Sequence, residues 1–508
     1  MSNTQLRWGI RFPRPAAAAG GLPLIIAPVP ERLVVPLNQN IGFASSAMVA
    51  VGERVMKGQP IGTYSGNAPA AHVHAPTSGL VTDLAVRPVT GRDSAMCIEI
   101  EADGQDQPWP SYAALEDPLH LPSARLREAV TEAGIVGLGG AMFPTSIKLN
   151  PGLGVTTLIL NGVECEPRIS CDDALMQNSA DAILLGAQIM LRILEADECI
   201  IAIKEHTPAV EPMVKATQQL HDDRFTISFV PAVYPAGGEV QLIELLTGIE
   251  VPTGGLPWDT GVICQNVATA AAITTFLTEG EPLISRIVTV TGEGITQPVN
   301  VKARLGSPIS HVVECAGGYT PTASRLIMGG PMMGIALPDD ALPITKACNS
   351  IYVAGTRELA PETPEMPCIR CGECTITCPV DLMPQLLLQA KRVNDYERLE
   401  ILGLPDCIEC GCCDYVCPSH IALTREFRTA KQALWDIGFE KRRARLAAQR
   451  FSARAERLDR KTKQRDQELE QQIEALADSG TNHGDSARDA LEQLLKRTKG
   501  ADDKDEQP

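Results

Sequence analysis

The chain has 508 residues, which favours several domains, since single hydrophobic cores stop growing at about 250–300 residues. Its formal net charge is 45 − 62 = −17 and only 4% of its residues are aromatic. That balance argues against nucleic acid as a partner, which needs a basic footprint or stacking platforms.

The N-terminal stretch "MSNTQLRWGIRFPRPAAAAGGLPLIIAPVPERL" does not read as a secretory signal, because prolines cut its apolar run. No run of about 18 apolar residues follows anywhere, so no membrane span is expected. Residues 30–85 alternate short β-branched runs with glycine turns and read as a small all-β unit. Its phrasing resembles the lipoyl/biotinyl barrel-sandwich. The hairpin interval Pro60 to His74 lacks the lysine that such domains modify, and Lys57 precedes it, so a scaffold without a swinging arm is expected.

Residues 120–280 alternate helix and strand. A helix is expected over 122–134, with Ser123 as N-cap and Gly134 as its stop, and another over 181–197. Strands are expected at 155–162, 198–206 and 224–232, giving α/β layers on a parallel sheet. Residues 282–350 turn β-rich, with a "TGEG" turn between two apolar runs and a short helix after Pro308. A Pro- and Glu-rich linker is expected over 351–367.

Nine of the sixteen cysteines lie between 368 and 417. "CIRCGECTITCP" and "CIECGCCDYVCP" both follow C-x2-C-x2-C-x3-C-P. Thiolates at this spacing suit iron–sulfur clusters, and in two-cluster arrangements the fourth cysteine of each run ligates the other cluster. The spacing therefore assigns Cys368, Cys371, Cys374 and Cys417 to one [4Fe–4S] cluster and Cys407, Cys410, Cys413 and Cys378 to a second. Zinc is the competing reading, but its sites usually come as separated C-x2-C pairs. Cys412 falls off the ruler, and the seven scattered cysteines read as small buried hydrophobes.

Two further stretches have the grammar of a nucleotide site. "GIVGLGGAMFPTSIKL" (134–149) packs glycines whose backbone N–H groups can approach a phosphate. A helix precedes it and Met142 fills the last glycine position of G-x-G-x-x-G, so it is not a dinucleotide fingerprint. "LILNGVECEPRISCDD" (158–173) follows a strand end, where Asn161 suits a planar heterocycle and Glu164 and Glu166 suit ribose hydroxyls. A tight turn and a surface acidic turn are the plain alternatives.

Taken in order, "GLGGAMFPTSIKL", "NGVECEP", "GGPMMG" (329–334), "ITKACNS" (344–350) and the doubled cysteine run resemble the flavin- and NADH-binding subunit of respiratory complex I. They are closer still to the C-subunit family of the Rnf/Rsx electron-transport complex, over about 30–430. The resemblance implies FMN held by Gly137, Gly139, Gly140, Asn161, Tyr234, Glu239, Asn266 and Thr269. It implies NADH lined by Phe143, Lys148 and Glu166. It also implies a multidomain α/β protein: a barrel-sandwich domain (1–115), an FMN/NADH-binding domain (116–281), an SLBB-like β-grasp domain (282–350), a two-cluster ferredoxin-like domain (358–430) and a charged tail (431–508). The implied partners are integral membrane subunits and a ferredoxin or similar redox protein, at the cytoplasmic side of the cell inner membrane. Val163 and Gly238 stand where complex I subunits carry acidic residues. A non-flavin iron–sulfur adaptor and a soluble NADH diaphorase are the alternative functions.

Residues 441–465 carry eleven Lys/Arg and two acids, so 11 − 2 = +9 within an acidic chain. A solvated helix is the plain reading, and an anchor to anionic lipid or to an acidic partner is the sharper one. The end, "KGADDKDEQP", reads as disordered.

Overall fold

Buried side chains alternate with more exposed ones at 79–81 and 98–101, and that alternation fixes which face of the first β unit becomes its core. In this computed structural model, which describes residues 6–13, 21–64, 66, 69–150, 152, 154–359 and 363–479 with isolated residues beyond, strands Gly79–Val89 and Arg92–Ala102 form a long hairpin. Arg32–Pro36 and Arg54–Val55 flank it. A three-stranded sheet, Ser46–Ala47, Pro60–Thr63 and Val73–His74, closes the unit. Val35, Val55, Ile61, Val81, Ile98 and Ile100 are fully buried between the two sheets.

The second unit is a four-stranded parallel sheet in the order Phe225–Val230, Glu198–Lys204, Thr157–Gly162, Val262–Asn266. Strands buried on both faces read as continuous apolar runs, as "TLIL" and "CIIAI" do. Helix Ala180–Leu194 and helix Val267–Glu279 pack together against the sheet and share its core through Ile183, Ala187, Ala270 and Ile273. Helix Ser123–Glu132 belongs to the same layer, but Ser123 is its first residue and not its cap. The cap position is Pro122, and the Ser123 hydroxyl donates to the Arg192 carbonyl at 3.0 Å.

The largest sheet draws in two segments from outside 282–350. It has six strands in the order Leu24–Ile26, Val299–Arg304, Ser285–Thr291, Ser350–Gly355, Ala323–Met328, Ile335–Ala336. Its first strand comes from the N-terminal segment assigned to the 1–115 domain, and pairs in parallel with Asn300–Lys302. Residues 351–355, expected to open the linker, are instead a wholly buried strand between 285–291 and 323–328. "IYVAG" is apolar enough to fill an interior position. The Pro-rich signal that suggests a linker starts only after it.

The chain divides into two compact units at Arg428 and Thr429. A single helix runs from Leu423 to Ser479, so the helical part of the expected tail begins before 431. The segment 499–508, expected to be disordered, lies outside the described residues. Among the described residues no helix is long and apolar enough to cross a membrane.

Candidate flavin and iron–sulfur site

Three of the four parallel strands end on a polar residue at their carboxyl ends: Asn161–Gly162, Lys204 and Asn266. This is the edge where ligands of α/β sheets bind. The glycine loop is fastened there from several sides. Gly137 N–H donates to the Phe143 carbonyl at 2.8 Å, and Leu138 N–H donates to Thr269 Oγ1 at 3.0 Å. Asn266 caps helix Val267–Glu279 by accepting from Ala268 N–H at 2.8 Å, and its amide donates to Asp172 at 2.6 Å. Gly139 rests against Asn266, and Gly140, at φ +114°, has open space where a side chain would begin. Met142, at the last glycine position of the loop pattern, adopts φ +49°, a left-handed backbone that glycine enters most readily.

The acidic turn is more inward than expected. Glu164 Oε1 accepts from Cys171 Sγ at 3.2 Å and from Asp172 N–H at 3.1 Å, while Lys204 donates to the Glu164 carbonyl at 2.5 Å. Burial, then the charge of Asp172, raises the Glu164 carboxyl above its ordinary range. Burial also holds the Cys171 thiol well up and pushes Cys165 up to about 11, so both are protonated near neutrality. Ligand atoms of Glu164, Cys171 and Asp172 lie within 4.8 Å of one another, and hydrogen bonding accounts for that approach. Asn161 donates to the Gly237 carbonyl at 3.0 Å and accepts from Val163 N–H at 2.9 Å, which shapes the turn from within.

Glu166 departs from a solvent-facing ribose acceptor. Its Oε1 accepts from Met332 N–H at 2.7 Å and Met333 N–H at 3.1 Å, tying the turn to "GGPMMG". A β-carbon on Gly330 would fall 2.3 Å from Glu166 Cγ, so glycine there is what lets the two loops meet. Lys148 and Glu239, expected on different ligands, pair with each other at 2.6 Å, and Lys148 also donates to the Cys264 carbonyl at 2.5 Å. Phe143 lies near Trp258 with ring centroids 6.3 Å apart. Asp172 and Lys204 went unnoticed in the sequence. Lys204 is a charged end to an apolar parallel strand, and Asp172 lies in the first turn of the helix Cys171–Asn178.

FMN fits this site on two observations. The backbone at Gly140 is open, and the buried Oε2 of Glu164 has no hydrogen-bond partner.

The two cysteine runs fold alike. Offset by 407 − 368 = 39 residues, Arg370 and Glu409, Gly372 and Gly411, and Asp381 and His420 all take positive φ. Glu373–Ile376 and Cys412–Tyr415 are the matching single-turn helices, in contact with each other. Cys368, Cys371, Cys374 and Cys417 line one pocket, three from the first run and one from the second. Cys378 lies within electrostatic reach of Cys410, as Cys413 does of Cys410 and Cys407. These crossed sets of soft thiol donors fit two iron–sulfur clusters. Cys368 and Cys371 are exposed, whereas Cys378 and Cys410 are buried. Tyr234, 2% exposed, donates its hydroxyl to the Cys410 carbonyl at 2.6 Å.

Comparisons with known proteins bear on the same regions. Residues 130–275 match the Nuo51 FMN-binding domain, 4–105 the RnfC barrel sandwich hybrid domain, and 287–336 the SLBB domain. The chain is similar to proteins named as the C subunit of an ion-translocating oxidoreductase complex. It is 39% identical over 504 residues to that of Yersinia enterocolitica, covering 97% of this chain and 70% of the relative. It is 38% identical over 495 residues to that of Serratia proteamaculans, covering 97% and 69%. With that of Erwinia tasmaniensis it shares 41% identity over 488 residues, covering 95% of this chain but only 60% of the relative's length. The relatives are thus longer proteins, of which this chain spans the larger part.

Proposed function

The chain belongs to the C-subunit family of ion-translocating oxidoreductase complexes, and from that premise we propose that it is the electron-input subunit of a membrane complex coupling NADH and ferredoxin electron transfer to ion movement. It would sit peripherally at the cytoplasmic side of the cell inner membrane, against integral membrane subunits and near a ferredoxin or similar redox protein. FMN, when bound, takes an electron pair from NADH and releases it singly to [4Fe–4S] clusters that carry one electron each.

The residues of this chain divide that work. Gly139 and Gly140 would offer backbone N–H groups to the flavin phosphate, with Gly137, Thr269 and Asn266 keeping the loop in shape. Glu164 offers its unpartnered oxygen to a flavin hydroxyl. Cys378, Cys407, Cys410 and Cys413 would hold the cluster nearer the flavin, because Tyr234 reaches Cys410 from the flavin-binding unit. Cys368, Cys371, Cys374 and Cys417 would hold the outer cluster, whose ligands Cys368 and Cys371 are exposed beside Ile369.

The observation that carries this reading is the Tyr234–Cys410 hydrogen bond, which joins the nucleotide and cysteine regions across 176 residues of sequence. One observation favours the non-flavin adaptor instead: Glu166, Lys148 and Glu239 already satisfy one another or the backbone. An anaerobic NADH titration followed by optical and paramagnetic spectra separates the two. Flavin bleaching with two reduced-cluster signals is the expected result. Clusters that respond to dithionite but not to NADH, without bound flavin, would sink it.

A further inference from the structure

We propose that the basic part of the long C-terminal helix, residues 441–465, is an interfacial helix that binds the surface of an anionic lipid bilayer. The proposal stands apart from what the cysteines or the glycine loop hold.

The helix runs unbroken through this segment, and every residue from 441 to 465 is exposed. At 1.5 Å per residue these 25 positions extend about 37 Å. At about 100° per residue, Ala444, Ala448, Phe451, Ala455, Leu458 and Thr462 fall within one arc roughly 100° wide. Phe451 is 76% exposed and Leu458 56% exposed, so the two large apolar groups of this arc stand open on the helix. Arg442, Arg457 and Arg460 lie opposite the arc, with Arg445, Arg450, Arg454 and Lys461 around its sides. Leu446 falls outside it. A cationic helix with one narrow apolar face and low mean hydropathy is the composition that lies in a headgroup plane.

Charge decides among the possible occupants. The segment carries +9 in a chain of −17, so the remainder carries −17 − 9 = −26. An anionic surface therefore repels most of this protein and attracts this helix. A second copy of the helix would bring +9 against +9 along the same face. Nucleic acid would meet the charge but has no use for an exposed apolar arc, which a bilayer interface takes up. With only Phe451 and Leu458 to insert, most of the binding is electrostatic, and it weakens as salt shortens the Debye length.

The test is co-sedimentation of the full chain with vesicles of phosphatidylcholine alone or with about one-third phosphatidylglycerol, at low and high salt. Binding is expected only with phosphatidylglycerol, and it is lost at high salt. R450Q/R454Q/R457Q/R460Q is expected to lower the partition coefficient by about 100-fold or more, at about 1 kcal/mol per basic residue. F451S/L458S lowers it by about tenfold, since two apolar side chains lose a shallow burial. The segment 441–465 is exposed throughout, and unchanged circular dichroism keeps both variants interpretable. Equal binding to both vesicle types, or none to either, overturns the proposal. So does a concentration-dependent dimer abolished by F451S/L458S, or retention on RNA but not on vesicles.

Discussion

Tyr234 and Cys410 meet through a 2.6 Å hydrogen bond from a phenol to a main-chain carbonyl, and neither group is open to water. Burial raises the Tyr234 hydroxyl far beyond its ordinary range, so it stays a donor at any working pH. Tyr234→Phe removes the donor and leaves the Cys410 carbonyl bare. A stability loss of about 1–2 kcal/mol is expected in denaturant titrations. The paramagnetic signal of one cluster is expected to move while the other stays. Two shifted signals, or none, would contradict the assignment of Cys410 to the nearer cluster.

The crossed ligand sets make a counting prediction. Cys417→Ser and Cys378→Ser each remove a ligand from a different cluster, so iron analysis is expected to fall from about eight toward about four per chain in each. Cys412 is buried and begins a single-turn helix, but it lies off the ligand ruler. Cys412→Ala is expected to keep the full iron content.

Gly140→Ala places a side chain at φ +114°, a backbone region that L residues rarely enter. The purified variant is expected to lose bound flavin absorbance while retaining its iron. Parallel loss of both would mean that the loop supports the fold and not a ligand.

Glu166→Ala frees the amides of Met332 and Met333. Hydrogen bonds to a charged acceptor are worth about 1.5–3 kcal/mol, so exchange at these two amides should quicken by about 10- to 100-fold. Unchanged protection would mean that the 329–334 loop is held by other contacts.

Lys346 gives a pH prediction. It is fully buried, donating to the His72 carbonyl at 2.8 Å and the Gly134 carbonyl at 2.7 Å, and burial lowers it to about 7. The unfolded lysine titrates near 10.4, so between about pH 7 and 10 the unfolded chain binds more protons. Its contribution therefore makes stability rise with pH across that window and stay flat below it. The difference in urea midpoint between the wild type and Lys346→Met is expected to follow this course. A difference independent of pH would show that the ammonium is not desolvated.

What could be read from the sequence was whatever is encoded within about a dozen neighbouring residues. The cysteine spacing and the apolar strands of the parallel sheet are both of that kind. What escaped is pairing at long range. Residues 351–355 looked like the start of a linker because nothing nearby announces that strands 285–291 and 323–328 will enclose them. Glu166 looked like a free acid because its partners, Met332 and Met333, lie 166 and 167 residues onward. Lys148 and Glu239 pair with each other across 91 residues, a contact that neither neighbourhood announces.

The segment before residue 30 touches three regions. Leu24–Ile26 edges the six-stranded sheet, Ile10 exchanges hydrogen bonds with Tyr234, and Gly9 N–H donates to Thr377 beside Cys378. Gly9 and Thr377 are 368 residues apart. At ribosomal rates of about 5–20 residues per second, Gly9 waits roughly 20–70 s for this partner to be synthesised. The cysteine region can therefore acquire this support only after the four preceding sheets have been translated, which places its final closure late in biogenesis.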